Sequence, residues 1–229
     1  MKKQILLFFN ICLSAVVSAQ ISVGVIGGAN YAFWKFDIID QPDINVLDFQ
    51  PAFGWRAGLL AEFTLNKQLN LRAELGTQIF AHQGNRNVIF ESDVLNGDFD
   101  GTEYHYRENY QFWEASVLAE VKPFRKVSWF YVVAGLNSNL LDKGWSDYNA
   151  LEPDEQDVMG GEISFIHHNW RRHSFAADMG LGGNIPISKS IKLKLESRFL
   201  YFFNELDDLD NVHSRISPVM LNLGCVYQL

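Results

Sequence analysis

Asn96-Gly97-Asp98-Phe99-Asp100-Gly101 places oxygen ligands at positions one, three and five and a glycine at six, which is how a calcium-binding EF-hand loop begins. Position twelve, where such a loop needs a bidentate Glu, is Arg107, and Glu108 falls one residue late. A pair of turns built from Asn-Gly and Asp-Gly accounts for the same residues without a metal. All six histidines (His82, His105, His167, His168, His173 and His213) lie in or beside polar stretches. His167-His168 with Arg171-Arg172-His173 forms a cationic island within an acidic surface, whereas zinc would need three or four convergent ligands. His173 with Ser174, or His82 with a rim carboxylate, could support hydrolysis, but neither carries a specific motif. No metal or cofactor is expected.

A second set of charges is spaced differently, at every other residue. Arg56, Glu62, Arg72, Glu74, Glu114, Glu120, Asp178, Lys192, Lys194, Glu196 and Arg198 all occupy the less apolar face of segments that alternate with period two. In the second segment Phe53, Trp55, Ala57, Leu59, Ala61 and Phe63 oppose Gly54, Arg56, Gly58, Leu60, Glu62 and Thr64. The third sets Leu69, Leu71, Ala73, Leu75, Thr77 and Ile79 against Asn70, Arg72, Glu74, Gly76, Gln78 and Phe80. Near-equal numbers of acids and bases, interspersed with glycine, suit a narrow interior in which ions pair to offset desolvation. Arg56, Arg72 and Arg198 are expected to pair with Glu62, Glu74, Glu120 and Glu196. Their role would be structural rather than catalytic.

The elements that would position these charges are eight strands. They are expected at about 21–36, 53–64, 69–80, 109–122, 127–140, 175–185, 191–201 and 216–229. In the fifth, both faces are apolar over Trp129–Ala134, so inside and outside cannot be told apart. Short turns fall at Leu65–Gln68, Pro123–Lys126 and Ile187–Ser190, and long polar loops at 37–51, 82–108, 140–172 and 204–214. Tight turns alternating with long loops are the pattern of a transmembrane β-barrel with short periplasmic turns and long extracellular loops. A soluble eight-stranded barrel would carry its apolar face inside. Trp34, Phe53, Trp55, Trp113, Trp129, Phe199 and Tyr201 near strand ends suit interfacial girdles.

The chain ends and composition narrow the class further. Lys2-Lys3, an apolar run over Ile5–Val17 and Val17-Ser18-Ala19 read as a secretory signal over residues 1–19, with the barrel domain over 20–229. Cys12 lies within that leader, leaving Cys225 without an intramolecular disulfide partner. The formal charge is -8, and an acidic chain is a poor candidate for nucleic-acid binding. The four loops hold 21 of the 27 carboxylates and five bases. Solvation explains that acidity most simply, and docking of a basic partner or binding of divalent cations is the sharper alternative.

Gly24-Val25-Ile26-Gly27-Gly28-Ala29-Asn30 resembles the G-V-x-x-G-x-N opening of the PorT-like outer-membrane β-barrel proteins of Bacteroidetes. Phe53–Leu59 and Leu69–Gly76 look like that family's second and third strands. Ala134-Gly135 is similar to its A-G element, and Leu195-Glu196-Ser197-Arg198-Phe199 to its l-E-x-R-y element. The resemblance implies an outer-membrane barrel, and its namesake's association implies a component of a type IX-like secretion or gliding assembly.

Together these readings give an all-β, eight-stranded antiparallel up-and-down transmembrane barrel, exported through a cleaved signal to the cell outer membrane. It is expected to be non-enzymatic, with a structural or partner-docking role in the envelope. Outer-membrane lipid is the expected partner, with envelope or secretion proteins possible. A rim-site hydrolase acting on lipid or peptide is the alternative. A small-solute pore is disfavoured because eight strands leave an interior that side chains fill.

Overall fold

The computed structural model describes residues 20–38, 50–88, 102–124, 126–150, 159–162, 172–205 and 212–229. The expected leader 1–19, the calcium-like segment 96–101 and His167-His168 lie outside them. The strands are β1 (Gln20–Ile38), β2 (Gln50–Thr64), β3 (Leu69–Val88), β4 (Thr102–Val121), β5 (Phe130–Ala150), β6 (Met159–Glu162), β7 (His173–Pro186), β8 (Ile191–Phe202) and β9 (Val212–Gln228). Every pairing is antiparallel, running β4-β3-β2-β1-β9-β8-β7-β5, and a β4–β5 ladder closes the ring. Eight strands therefore form the barrel, and β6 is a short strand set on the outer part of β5 at Trp145–Tyr148. Closure leaves the ring without an edge, so its backbone groups pair internally, as a hydrocarbon surround demands.

The tight turns are built by local chemistry. Asn66 Oδ1 accepts hydrogen bonds from the backbone N–H of Gln68 at 2.8 Å and of Leu69 at 3.0 Å. Ser188 Oγ does the same for Ser190 at 3.3 Å and Ile191 at 3.1 Å. Side chains of this kind hold a turn in place of backbone. The β4–β5 connection is wider, with Val127 N–H donating to the Phe124 carbonyl at 3.2 Å.

Orientation follows the period of two. Val25, Leu59, Leu75, Val117, Leu136 and Leu221 point outward, each more than half exposed. Arg56, Arg72, Glu74, Asp178, Glu196 and Arg198 point inward and are buried. A contiguous apolar exterior around an ionic interior inverts a soluble barrel and makes this a transmembrane one. In β5, Tyr131 and Val133 face inward while Val132 and Ala134 face outward, which the sequence alone left open.

The loop boundaries read from sequence need correction. Residues 82–88 and 102–108, expected as loop, continue β3 and β4 as a ladder reaching Val88↔Thr102. Residues 141–150 extend β5 and pair with β4 as far as Tyr104↔Ala150, and β6 lies within the expected loop 140–172. Polar residues fill both faces there, so no hydrophobic period marks the strand. The neighbouring strand's backbone defines it instead.

Candidate functional site

The seven charges singled out from sequence, Arg56, Glu62, Arg72, Glu74, Glu120, Glu196 and Arg198, are all buried in the lumen and form one lattice. Glu74 is its hub. Arg198 grips it with two bonds, Nη2 to Oε1 at 2.6 Å and Nη1 to Oε2 at 2.9 Å. Arg56 Nη2 reaches Oε2 at 2.9 Å, and Arg72 Nε lies 3.0 Å from Oε1. Forked guanidinium–carboxylate contacts of this kind fix geometry as well as charge.

Glu196 is the second hub. It accepts both terminal nitrogens of Arg72, Nη2 at 3.1 Å, and Arg198 Nε at 2.7 Å. The Tyr131 hydroxyl donates to its Oε1 at 2.5 Å. Arg72 also lies 3.9 Å from Glu62 and 3.8 Å from Glu120.

Three lattice members were not among those seven. Lys194 bridges Glu62 and Glu120, the latter at 2.6 Å, and lies 4.8 Å from the Tyr131 ring centroid. Glu114 pairs with Arg56, whose Nε is 3.0 Å from Oε1. Asp178 Oδ2 accepts from Arg198 Nη1 at 3.2 Å. All three stood among the eleven charges read onto that face from sequence, which did not give their partners, and Lys192 of the same set is only half-buried and outside the lattice. The buried lattice then comprises Arg56, Arg72, Lys194 and Arg198 against Glu62, Glu74, Glu114, Glu120, Asp178 and Glu196. Every one of these ions is carried by β2, β3, β4, β7 or β8. β1 and β9 turn Ser22, Ile26, Asn30, Met220, Asn222 and Val226 inward instead.

Towards the loop end the lumen becomes neutral and then apolar. Gln78 donates to Asn139, and Asn137 Nδ2 donates to Ser116 Oγ at 2.8 Å. Beyond them Phe80, Phe112, Leu200, Phe202, Ile216 and Met220 pack as an apolar plug. Phe80 lies 5.5 Å from Phe112 and 6.0 Å from Phe202 between ring centroids. A filled interior suits an eight-stranded cylinder and obstructs a water path.

Close approach demands glycine at one position in particular. A Cβ on Gly182 would lie 2.6 Å from the Tyr131 hydroxyl, so the missing side chain lets the Tyr131 ring lie across β7 and reach Glu196 on β8.

Of the two hydrolase candidates, His82 meets a carboxylate and His173 does not meet Ser174. His82 is buried in the lumen, with Nε2 3.1 Å from Glu108 Oε2, an oxygen that also accepts the Tyr110 hydroxyl at 2.6 Å. The rim carboxylate posited for His82 is thus Glu108. The pair is packed among Trp34, Tyr106 and Tyr110, with the Trp34 ring 4.8 Å from the imidazole. Ser174 lies opposite Asn139, which lies opposite Glu114, whereas His82 lies opposite Glu108. That offset of six residues along β4 is about 20 Å of strand. His173 is exposed and Ser174 buried, on opposite faces of β7, so they do not form a pair. Arg172 is exposed, and His105 Nδ1 meets Asn85 Oδ1 at 3.1 Å. Among the described residues no cluster of three or more His, Cys, Asp or Glu is arranged to hold a metal.

No protein-family model and no curated protein matches the chain. Solved structures do. A major outer membrane protein from Thermus thermophilus aligns over 93% of this chain and 100% of its own, at 16% identity and TM-score 0.45. The outer membrane protease OmpT from Escherichia coli aligns over 92% and 97%, at 8% identity and TM-score 0.43. Ail, the attachment invasion locus protein of Yersinia pestis, aligns over 91% and 99%, at 10% identity and TM-score 0.42. These are likenesses of chain layout, and the assignment as a closed barrel stands on the strand ladders themselves.

Proposed function

We propose that this protein is an outer-membrane β-barrel that works without catalysis, as a sealed anchor presenting its long acidic loops for structural or docking roles at the envelope. The observation that supports this best is the double seal of the lumen. An ionic lattice centred on Glu74 and Glu196 fills the middle, and the Phe80–Phe112–Phe202 plug closes the loop end. The lattice is structural in this reading: each ion sits in a site that serves its neighbours rather than a substrate. Crosslinking and pulldown from native membranes test the docking role. A defined partner captured through the loops is the expected result. Swelling of proteoliposomes in small sugars would replace this reading with that of a pore.

A role in a secretion or gliding assembly of the type IX kind is the finer reading, supported by the resemblance of Gly24–Asn30 and Leu195–Phe199 to PorT-like proteins. Capture of secretion components in the same pulldown would support it. The hydrolase reading is weakened by the burial of His82 among Trp34, Tyr106 and Tyr110 and by His173 and Ser174 facing opposite sides of β7.

A further inference from the structure

The tight-turn end of the barrel carries a charge pattern that the lattice and the acidic loops do not explain. Lys67 lies in the β2–β3 turn, Lys122 and Lys126 in the β4–β5 connection, and Lys189 in the β7–β8 turn. Residues 63–69, 121–129 and 186–192 contain no Asp or Glu. Lys67, Lys126 and Lys189 are exposed, and Lys122 is partly so and also lies near enough to Glu120 of the lattice to act on its charge. The three connections are spread around the ring, between β2 and β3, β4 and β5, and β7 and β8. The cations therefore form a collar rather than a patch.

The residues beside the collar are apolar and face outward. Leu65, Val121, Phe124, Trp129, Ile187 and Tyr227 are all exposed at this end, with Phe124 and Trp129 more than half so. Phe124 and Trp129 each approach Phe130, at centroid distances of 6.2 Å and 6.0 Å. Aromatic rings of this kind sit at head-group depth, and lysine stems extend along apolar surface while their ammonium groups reach water or phosphate. Cations at three of the four quarters of the circumference, at the depth where the lipid belt ends, meet head groups around most of the ring, the β9–β1 seam carrying none of the four. A folded acidic protein would need them gathered on one face.

We infer that the tight-turn end is a lysine collar that selects anionic phospholipid head groups in the leaflet it contacts. The inference rests on the transmembrane reading of the barrel. It assigns a lipid preference to one end only, because the opposite end carries the acidic loops. Each ammonium near an anionic surface favours association by about fivefold, and the effect decays within a Debye length, which shrinks to ~3 Å in about 1 M salt.

The test uses the full refolded barrel in bilayers of phosphatidylcholine containing spin-labelled phosphatidylglycerol or spin-labelled phosphatidylcholine, reading the motionally restricted fraction of each. The expected result is preference for phosphatidylglycerol of at least about fivefold at low salt, falling towards parity in high salt. K67Q/K122Q/K126Q/K189Q should lose most of that preference, whereas K35Q/K143Q, on the loop half, should keep it. Equal preference in the fourfold variant, or a preference that salt does not reduce, overturns the proposal. So does binding of soluble polyglutamate by the collar with no lipid preference, which would point to an acidic protein. A barrel that inserts and resists heat yet shows no lipid preference refutes the collar alone. A chain that inserts into no bilayer refutes the transmembrane reading beneath it.

Discussion

Replacing Arg72 with Ala removes a guanidinium that touches Glu196 through two nitrogens and Glu74 at 3.0 Å, and that lies within 4 Å of Glu62 and Glu120. Breaking a buried ion pair from one side costs about 3–5 kcal/mol, because the surviving charge stays in the interior without its partner. The lattice decides where in that range this substitution falls. Glu196 would keep Arg198 and Tyr131, and Glu74 would keep Arg198 and Arg56. Both hubs retain donors, so the expected loss is about 3 kcal/mol, the lower end of that range. Arg198→Ala strips donors from Glu74, Glu196 and Asp178 together and should approach the upper end. The measurement is equilibrium unfolding by urea in lipid vesicles, with heat-resistant migration on detergent gels as a second readout. Arg72→Ala with Glu196→Gln should be less damaging than the sum of the two, by about 1–3 kcal/mol, since removing both members relieves the stranded charge. Arg72→Ala within about 0.5 kcal/mol of the parent, or strict additivity in the double variant, would refute the view that these ions form a dry, mutually dependent lattice.

The other predictions address the plug, the wall and the lipid face. Phe80→Ala should lower the unfolding free energy by about 3–5 kcal/mol, the usual cost of emptying an aromatic site in a core. It should leave planar bilayers non-conducting, because the ionic lattice still fills the lumen below, and single-channel recording checks this. Gly182→Ala should displace Tyr131 from Glu196 and cost about 1–3 kcal/mol by overpacking, and Tyr131→Phe in the same chain should relieve part of that loss. Cys225, exposed beside Leu223 and Tyr227 on the outer face, should react in intact proteoliposomes with a lipid-soluble maleimide and resist a charged one. Rapid labelling by the charged reagent, read by mass shift, would place that face in water.

The parity of the strands was legible because one face of each meets lipid and the other meets ions, and a period of two separates them. Arg56 against Trp55, Glu74 against Leu75 and Glu196 against Leu195 show it in β2, β3 and β8. β5 was illegible because Tyr131 and Val133 are as apolar as Val132 and Ala134. The parity of β5, with Asn137 and Asn139 in the lumen, turns Tyr131 inward, and the lack of a side chain on another strand, at Gly182, makes room for its ring. The identity of the ion partners was hidden for a related reason. Lys194 meets Glu62 across 132 residues of chain, a contact set by register and by the width of the lumen. The His82–Glu108 pairing likewise depends on β3 and β4 continuing past the point where hydrophobic alternation stops. Backbone pairing carries the strands onward there, and it leaves no mark on residue type.

That β1 and β9 carry none of the buried lattice ions has a consequence for how the cylinder is completed. These strands meet along the ladder Ser22↔Gln228 to Ile38↔Val212, joining the chain's two terminal strands. Among the described side chains neither brings a buried ion to the stretch from Ser22↔Gln228 to Lys35↔Arg215, so zipping that stretch requires no buried cation to find an anion across the join. A sheet of the remaining strands can curl and neutralise itself first, and the final zipper then has only hydrogen bonds, small side chains and a few apolar contacts to align.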